Sequence, residues 1–159
     1  MAILIPSAII IFFVGLFGIL FIPDEIKNKS LDFKKGTIKI DDSVITVEIA
    51  ESDAERQRWL MFRSDEYDSK NGMILVYPEL DLYALWLLNI QYNIDLIWFD
   101  ERGNVVYTIE NANPCKNPLN PQDCTFKTVK PAKYIVVSTS GFIQKNNITN
   151  ISNMTIISI

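Results

Sequence analysis

From Ile3 to Ile22 the chain carries no charge and almost no polar side chain, and after Pro23 the pattern changes completely. As a helix rising about 1.5 Å per residue, such a run spans roughly 30 Å, the hydrocarbon thickness of a bilayer. It predicts a single transmembrane anchor over residues 1–23. A cleaved signal peptide would have a shorter apolar region, a positive charge ahead of it and a small-residue cleavage site. This run has no Lys or Arg before it and ends Phe21-Ile22-Pro23-Asp24. A buried core helix would carry a polar stripe, and Ser7 is the one clearly polar residue present. Residues 24–35 are polar and aperiodic and read as a stalk, which leaves 36–159 as the folded domain.

Apolar and polar positions alternate with period two over Gly36 to Ile40 and Val44 to Ile49, around Asp41-Asp42-Ser43. This predicts a hairpin with Ile45, Val47 and Ile49 facing inward. The period then shifts. Ser52-Asp53-Ala54-Glu55 is a capping-box sequence, with Glu three residues after Ser, and opens a helix expected to run through Arg63 and lie across the sheet. Runs rich in β-branched and aromatic residues predict strands over Met73 to Tyr77, Leu82 to Leu88, Ile94 to Phe99 and Val105 to Glu110. Asp100-Glu101-Arg102-Gly103-Asn104 should join the last two as an antiparallel pair. Strands over Lys133 to Ser138 and Asn153 to Ile159, with a short helix in Gly141 to Ile148, complete the pattern. The fold class is a β-rich α+β domain: a mainly antiparallel sheet or partly closed barrel with one or two short helices.

Composition narrows the chemistry. The chain of 159 residues has a net charge of -4 and no His. It has no basic field for nucleic acid, and serine-histidine and cysteine-histidine catalysis are excluded. The lysines after the apolar run (Lys27, Lys29, Lys34, Lys35) favour a cytoplasmic body by the positive-inside rule. The cysteines argue the opposite. Cys115 and Cys124 lie in a Pro- and Asn-rich loop that a disulfide would close, contributing about 2 to 3 kcal/mol; two reduced thiols or half of a zinc site are the alternatives. Asn-x-Ser/Thr triplets at Asn28, Asn147, Asn150 and Asn153 offer glycosylation sites on an exported surface. Together these outweigh the lysines, and the domain is expected outside the cytoplasm.

Asp95 sits inside an apolar strand, where an isolated carboxylate is costly to bury, so it needs a partner. Arg56 or Arg63 could supply an ion pair; Glu48 or Glu55 would be the second carboxylate of a catalytic pair. Asn89, at the end of a very apolar run beside Trp86, is either a pocket donor or a turn residue. Trp59, Trp86 and Trp98 could line an aromatic cleft for a sugar or apolar ligand, and the competing role for each is core packing. Met61 and Met73 read as core filler rather than a soft-metal site, because neither His nor free thiols accompany them. No catalytic residue, metal site or cofactor is assigned.

In order along the chain, these motifs resemble the uncharacterised family called domain of unknown function 192, over about residues 44–157. Glu55-Arg56-Gln57-Arg58-Trp59-Leu60-Met61-Phe62-Arg63 is similar to its pattern of Glu-Arg, Gly-Leu-Met and Arg. Gly72-Met73-Ile74-Leu75-Val76, Trp86-Leu87-Leu88-Asn89, Ile94-Asp95-Leu96-Ile97-Trp98-Phe99 and the Cys115 and Cys124 loop follow in the family's order. Trp59 replaces the family's Gly, Leu87-Leu88 its Met-Lys, and Ile90 and Asn93 its Thr and Pro. The resemblance implies an exported or membrane-anchored domain and brings no activity with it. The expected function is a non-catalytic extracytoplasmic module binding a partner protein or small ligand near Trp86, Asn89 and Asp95. Two alternatives stand beside it. One is an accessory subunit of an integral membrane complex, with Gly15 and Gly18 permitting close helix approach; the other is an envelope hydrolase using Asp95.

Overall fold

The structure, a computed structural model, describes residues 33–116 and 119–159. The expected anchor with Ile3 and Ile22, the stalk up to residue 32 and Asn28 lie outside the described residues. Among the described residues, no helix is long and apolar enough to cross a membrane.

Strands β1 (Lys34–Ile40) and β2 (Ser43–Ala50) form the expected hairpin, with Ile38 opposite Ile45 and Ile40 opposite Ser43. β1 begins at Lys34, so the last residues assigned to the stalk belong to the sheet. Asp41 makes the turn at φ 49, a left-handed conformation that Asp tolerates well. β3 (Asn71–Asp81) runs parallel to β2, and the connection between them passes through helix α1 (Asp53–Arg58), because two parallel neighbours need a crossover. Then come β4 (Ala84–Trp86), β5 (Ile94–Phe99), β6 (Val105–Ala112), β7 (Thr125–Lys127), β8 (Ala132–Thr139), helix α2 (Phe142–Lys145) and β9 (Met154–Ser158).

Seven strands form one mixed, mostly antiparallel sheet in the order β6-β5-β8-β3-β2-β1-β9; β4 and β7 form a second sheet of two. All six residues of β5 are buried, as a strand covered on both faces should be. Ile94, Leu96 and Trp98 pack into one cluster with Trp59, Leu60, Leu85 and Leu87. Ile97 and Phe99, from the opposite face, join Ile38, Ile45, Val47, Phe142 and Ile143. Ile45, Val47 and Ile49 face inward, as the alternation predicts.

Three expectations change. The sheet does not close into a barrel: β6 and β9 are its edges. They meet at one corner, where Met154 N donates to Gly103 O at 2.7 Å and Val105 N to Ser152 O at 3.2 Å. The strand expected over Leu82 to Leu88 is shortened to the three residues of β4. β3 extends to Asp81, and the three residues of β4 leave the main sheet to pair with β7, an element too short to have a sequence signal. The first helix ends at Arg58 rather than Arg63 and buries none of its own residues; Trp59 and Leu60, just after it, enter the core. The helix stops where Trp59 turns to φ 24 and ψ -112, and Phe62 N donates to the Asn89 carbonyl at 2.9 Å rather than to a helical one.

The capping box is formed: Glu55 N donates to Ser52 Oγ at 3.3 Å and Ser52 N to the Glu55 carboxylate at 2.8 Å. The Ser52 backbone amide and hydroxyl hold the Glu55 carboxyl below its ordinary value; the Ser152 hydroxyl and the Asn153 amide do the same for Asp41. Both folded-state values are depressed. Their stabilising contribution is therefore present above the unfolded values of 4.5 and 3.8 and is lost as pH falls through the folded ones. Thermal melts are expected to be flat from neutrality down to about pH 5 and to fall below it, with a shallower fall in Glu55→Gln.

Candidate binding groove

The capping box starts α1 at Asp53, and helical spacing then sets Asp53, Arg56 and Gln57 on one side of it. The far half of β3 brings Tyr77 alongside, and β4 brings Ala84, Leu85 and Trp86. Together with Trp59 and Met61 these residues line an open groove of about 310 Å³.

Arg56 organises it. Its guanidinium bonds the Glu51 carbonyl, the Asp53 carboxylate and, at 2.7 Å, the Val76 carbonyl, so one side chain ties α1 to β3. It lies 5.2 Å over the Tyr77 ring, and Tyr77 stacks on Tyr83 with centroids 3.6 Å apart. A cation over an aromatic face is held by the ring's quadrupole, which fixes the stack as well as the guanidinium. Burial pushes the Tyr77 phenol up to about 12, leaving a neutral hydroxyl beside the groove.

The two apolar walls differ. Trp59 is 4 % exposed, whereas Trp86 is 41 % exposed. Trp59 also has φ 24 with ψ -112, outside the regions that a bulky L-residue adopts without strain. Conformations of this kind cost on the order of 1–3 kcal/mol and persist where the surroundings hold them. This is the position where the resembling family pattern has Gly. Here the chain places an indole there despite the strain.

Of the residues expected at the site, Trp86 is in the groove, and Asn89 and Asp95 are not among its lining. Asn89 is an exposed turn residue at φ 56 whose carbonyl accepts from Phe62 N at 2.9 Å. Asp95 is fully buried, and the expected pairing with Arg56 or Arg63 does not form. Its two oxygens accept from backbone amides instead, Asn111 N and Ile143 N, each at 2.8 Å. Main-chain donors satisfy the carboxylate without burying a second charge. Arg63 pairs with Glu48 at 2.7 Å and donates to Tyr67 Oη at 2.6 Å, while Tyr67 donates to Glu48 at 2.7 Å. Burial, with the Glu48 carboxylate it donates to, pushes the Tyr67 phenol up. Glu48 and Glu55, the two candidate second carboxylates, are thus engaged in the Arg63 pair and the helix cap. Trp98 and Met73 are fully buried core residues, so the three-tryptophan cleft reduces to Trp59 and Trp86.

Cys115 and Cys124 form a disulfide, with Cα atoms 5.1 Å apart. The loop it closes is clipped onto the residue after β4: Leu87 N donates to the Cys124 carbonyl at 3.0 Å, and Cys115 N donates to the Leu87 carbonyl at 3.1 Å. The staple therefore supports the strand that presents Trp86. Among the triplet sites, Asn147 and Asn150 are exposed ahead of β9, while the Asn153 amide donates to Arg102 O and Asn104 Oδ1, both at 3.3 Å.

The sequence pattern does not mark Asp53, Gln57 and Tyr77 as groove residues, and it points Arg56 toward Asp95 instead. The available signals were the i, i+3, i+4 spacing behind the capping box and a Trp in a Gly position.

Solved structures share this fold, among them the following two. One, described as a putative transcription regulator from Sinorhizobium meliloti 1021, aligns with TM-score 0.71 and 17 % identity over 80 % of this chain and 97 % of its own. The other, a protein of unknown function from Novosphingobium aromaticivorans DSM 12444, aligns with TM-score 0.64 and 19 % identity over 77 % and 84 %. No curated protein matches the chain. The family DUF192, described as Uncharacterized ACR, matches residues 36–156, and the chain belongs to that family.

Proposed function

We propose that this protein is a membrane-anchored, non-catalytic module on the extracytoplasmic side, binding a small ligand or a partner segment through the groove between Trp59 and Trp86. The observation that carries the reading is the pair of indoles. One is held in a strained backbone and the other is left 41 % exposed, on a frame braced by Arg56 and by the disulfide loop. An exposed tryptophan beside fixed polar groups is the composition of a recognition site. The apolar run before residue 23, the disulfide and the Asn-x-Ser/Thr triplets support the location.

The accessory-subunit reading keeps one observation in its favour: Leu80, near the end of β3, and Leu82, just after it, are 41 % and 40 % exposed. Such apolar surface suits contact with a neighbouring membrane protein. The hydrolase reading has less support, since both oxygens of Asp95 are occupied by amides in a buried position.

Location is tested by placing a third cysteine at exposed Ser64 (Ser64→Cys) and treating intact cells with a membrane-impermeant maleimide. Labelling without permeabilisation is expected; labelling only after lysis would overturn the topology. Extraction in mild detergent separates the two binding readings, since an accessory subunit should emerge in a larger stable particle.

A further inference from the structure

We infer that the groove receives a pyranose ring of a neutral oligosaccharide. This rests on the binding reading above and names the ligand class.

The groove's lining is of two kinds. Trp59, Met61, Leu85 and the exposed Trp86 ring supply apolar surface, and α1 supplies planar polar side chains, Asp53 and Gln57, one helical turn apart. A pyranose is built the same way, with an apolar C–H face and a rim of hydroxyls that both donate and accept. Stacked on Trp86, the ring covers apolar surface that is otherwise wet, and its rim hydroxyls meet acceptors and an amide rather than more hydrocarbon. Asp53 is 89 % exposed at its side chain, and Arg56 takes its Oδ1, leaving Oδ2 as an acceptor.

Charge decides against the competing ligands. Among the described residues Arg56 is the one cation lining the groove, and its carboxylate partner neutralises it. It also spends further donors on the Glu51 and Val76 carbonyls, so a phosphate or carboxylate ligand would find no free positive group. A cationic ligand would meet a carboxylate already paired. A wholly apolar ligand would offer no partner to Asp53 Oδ2 or to the Gln57 amide where it covers them, an unfavourable burial of polar groups. A neutral polyol with one apolar face avoids all three penalties. At about 310 Å³ the groove is at the small end of ligand sites, a size for one ring rather than a long branched chain.

The test uses the full chain in lipid nanodiscs made without sugar-based detergents. The protein is titrated calorimetrically, and by tryptophan fluorescence, with neutral gluco-, manno- and N-acetylglucosamine tetrasaccharides and, separately, with the capped dipeptide N-acetyl-Leu-Leu-amide. The expected result is saturable binding of at least one tetrasaccharide with a fluorescence change. It should be weakened at least about tenfold in Trp86→Ala and in Asp53→Ala, and retained in part by Trp86→Phe. All variants are compared at matched denaturation midpoints, and Trp86→Phe keeps the test informative if Trp86→Ala does not fold. Trp86-dependent binding of the dipeptide with no tetrasaccharide binding would overturn the carbohydrate inference and leave the binding module standing. No Trp86-dependent binding of either probe would overturn both.

Discussion

Asp95→Asn is expected to lower the unfolding free energy by about 3–5 kcal/mol, a large share of what a domain of this size possesses. The carboxylate accepts Asn111 N with one oxygen and Ile143 N with the other, at 2.8 Å each, in a site without solvent. An amide of the same shape keeps one acceptor and turns an NH₂ toward the remaining N–H. One charge-assisted bond is lost and two buried donors face each other. The damage reaches beyond the strand, because Asp95 on the buried strand β5 holds both the end of β6 and the start of α2. Urea denaturation followed by circular dichroism measures the loss. A change below about 1 kcal/mol would mean that water or a backbone shift satisfies those amides, and that Asp95 is not the latch described here.

Gly103→Ala is expected to cost about 3 kcal/mol or more, for two separable reasons. At φ 80 an L-residue is in the left-handed region, with a penalty of roughly 1–2 kcal/mol. The added Cβ would also sit 2.0 Å from the Met154 carbonyl oxygen, a backbone atom that cannot rotate away. Gly103 occupies the corner where β6 meets β9, so the substitution should open that junction and speed hydrogen exchange at Met154 N and Val105 N. Gly141→Ala provides the comparison. Gly141 has φ 85 but nothing within 4 Å of the added atom, so it should show the conformational penalty alone. Equal losses at the two positions would refute the steric part.

Much of the strand pattern was legible, because a side chain on a strand must choose a face and the choice repeats every two residues. β5 shows it: Ile94, Leu96 and Trp98 serve one core cluster, Ile97 and Phe99 the other. The capping box was legible for a similar reason, being local chemistry between residues three apart. What failed was always non-local. Asp95 was recognised as needing a partner, but its partners are main-chain amides 16 and 48 residues away, and any residue type supplies an amide. An arginine looked better only because charge can be seen in a sequence. The stop after Arg58 goes with Trp59 at φ 24 and with the Asn89 carbonyl waiting for Phe62 N, a contact 27 residues away. β4 leaves the main sheet because β7, three residues long and carried by the disulfide loop, offers it another partner.

By itself, the order of residues established a β-rich domain of the DUF192 family, its hairpin, its helix start and the identity of Trp86 as a residue to watch. Each of those rests on contacts between near neighbours or on a periodic face. Only the tertiary structure decided that Trp86 belongs with Arg56, Trp59 and Tyr77 rather than with Asn89 and Asp95. A groove is a meeting of distant segments, and its walls are chosen by which surfaces the closed core leaves outside.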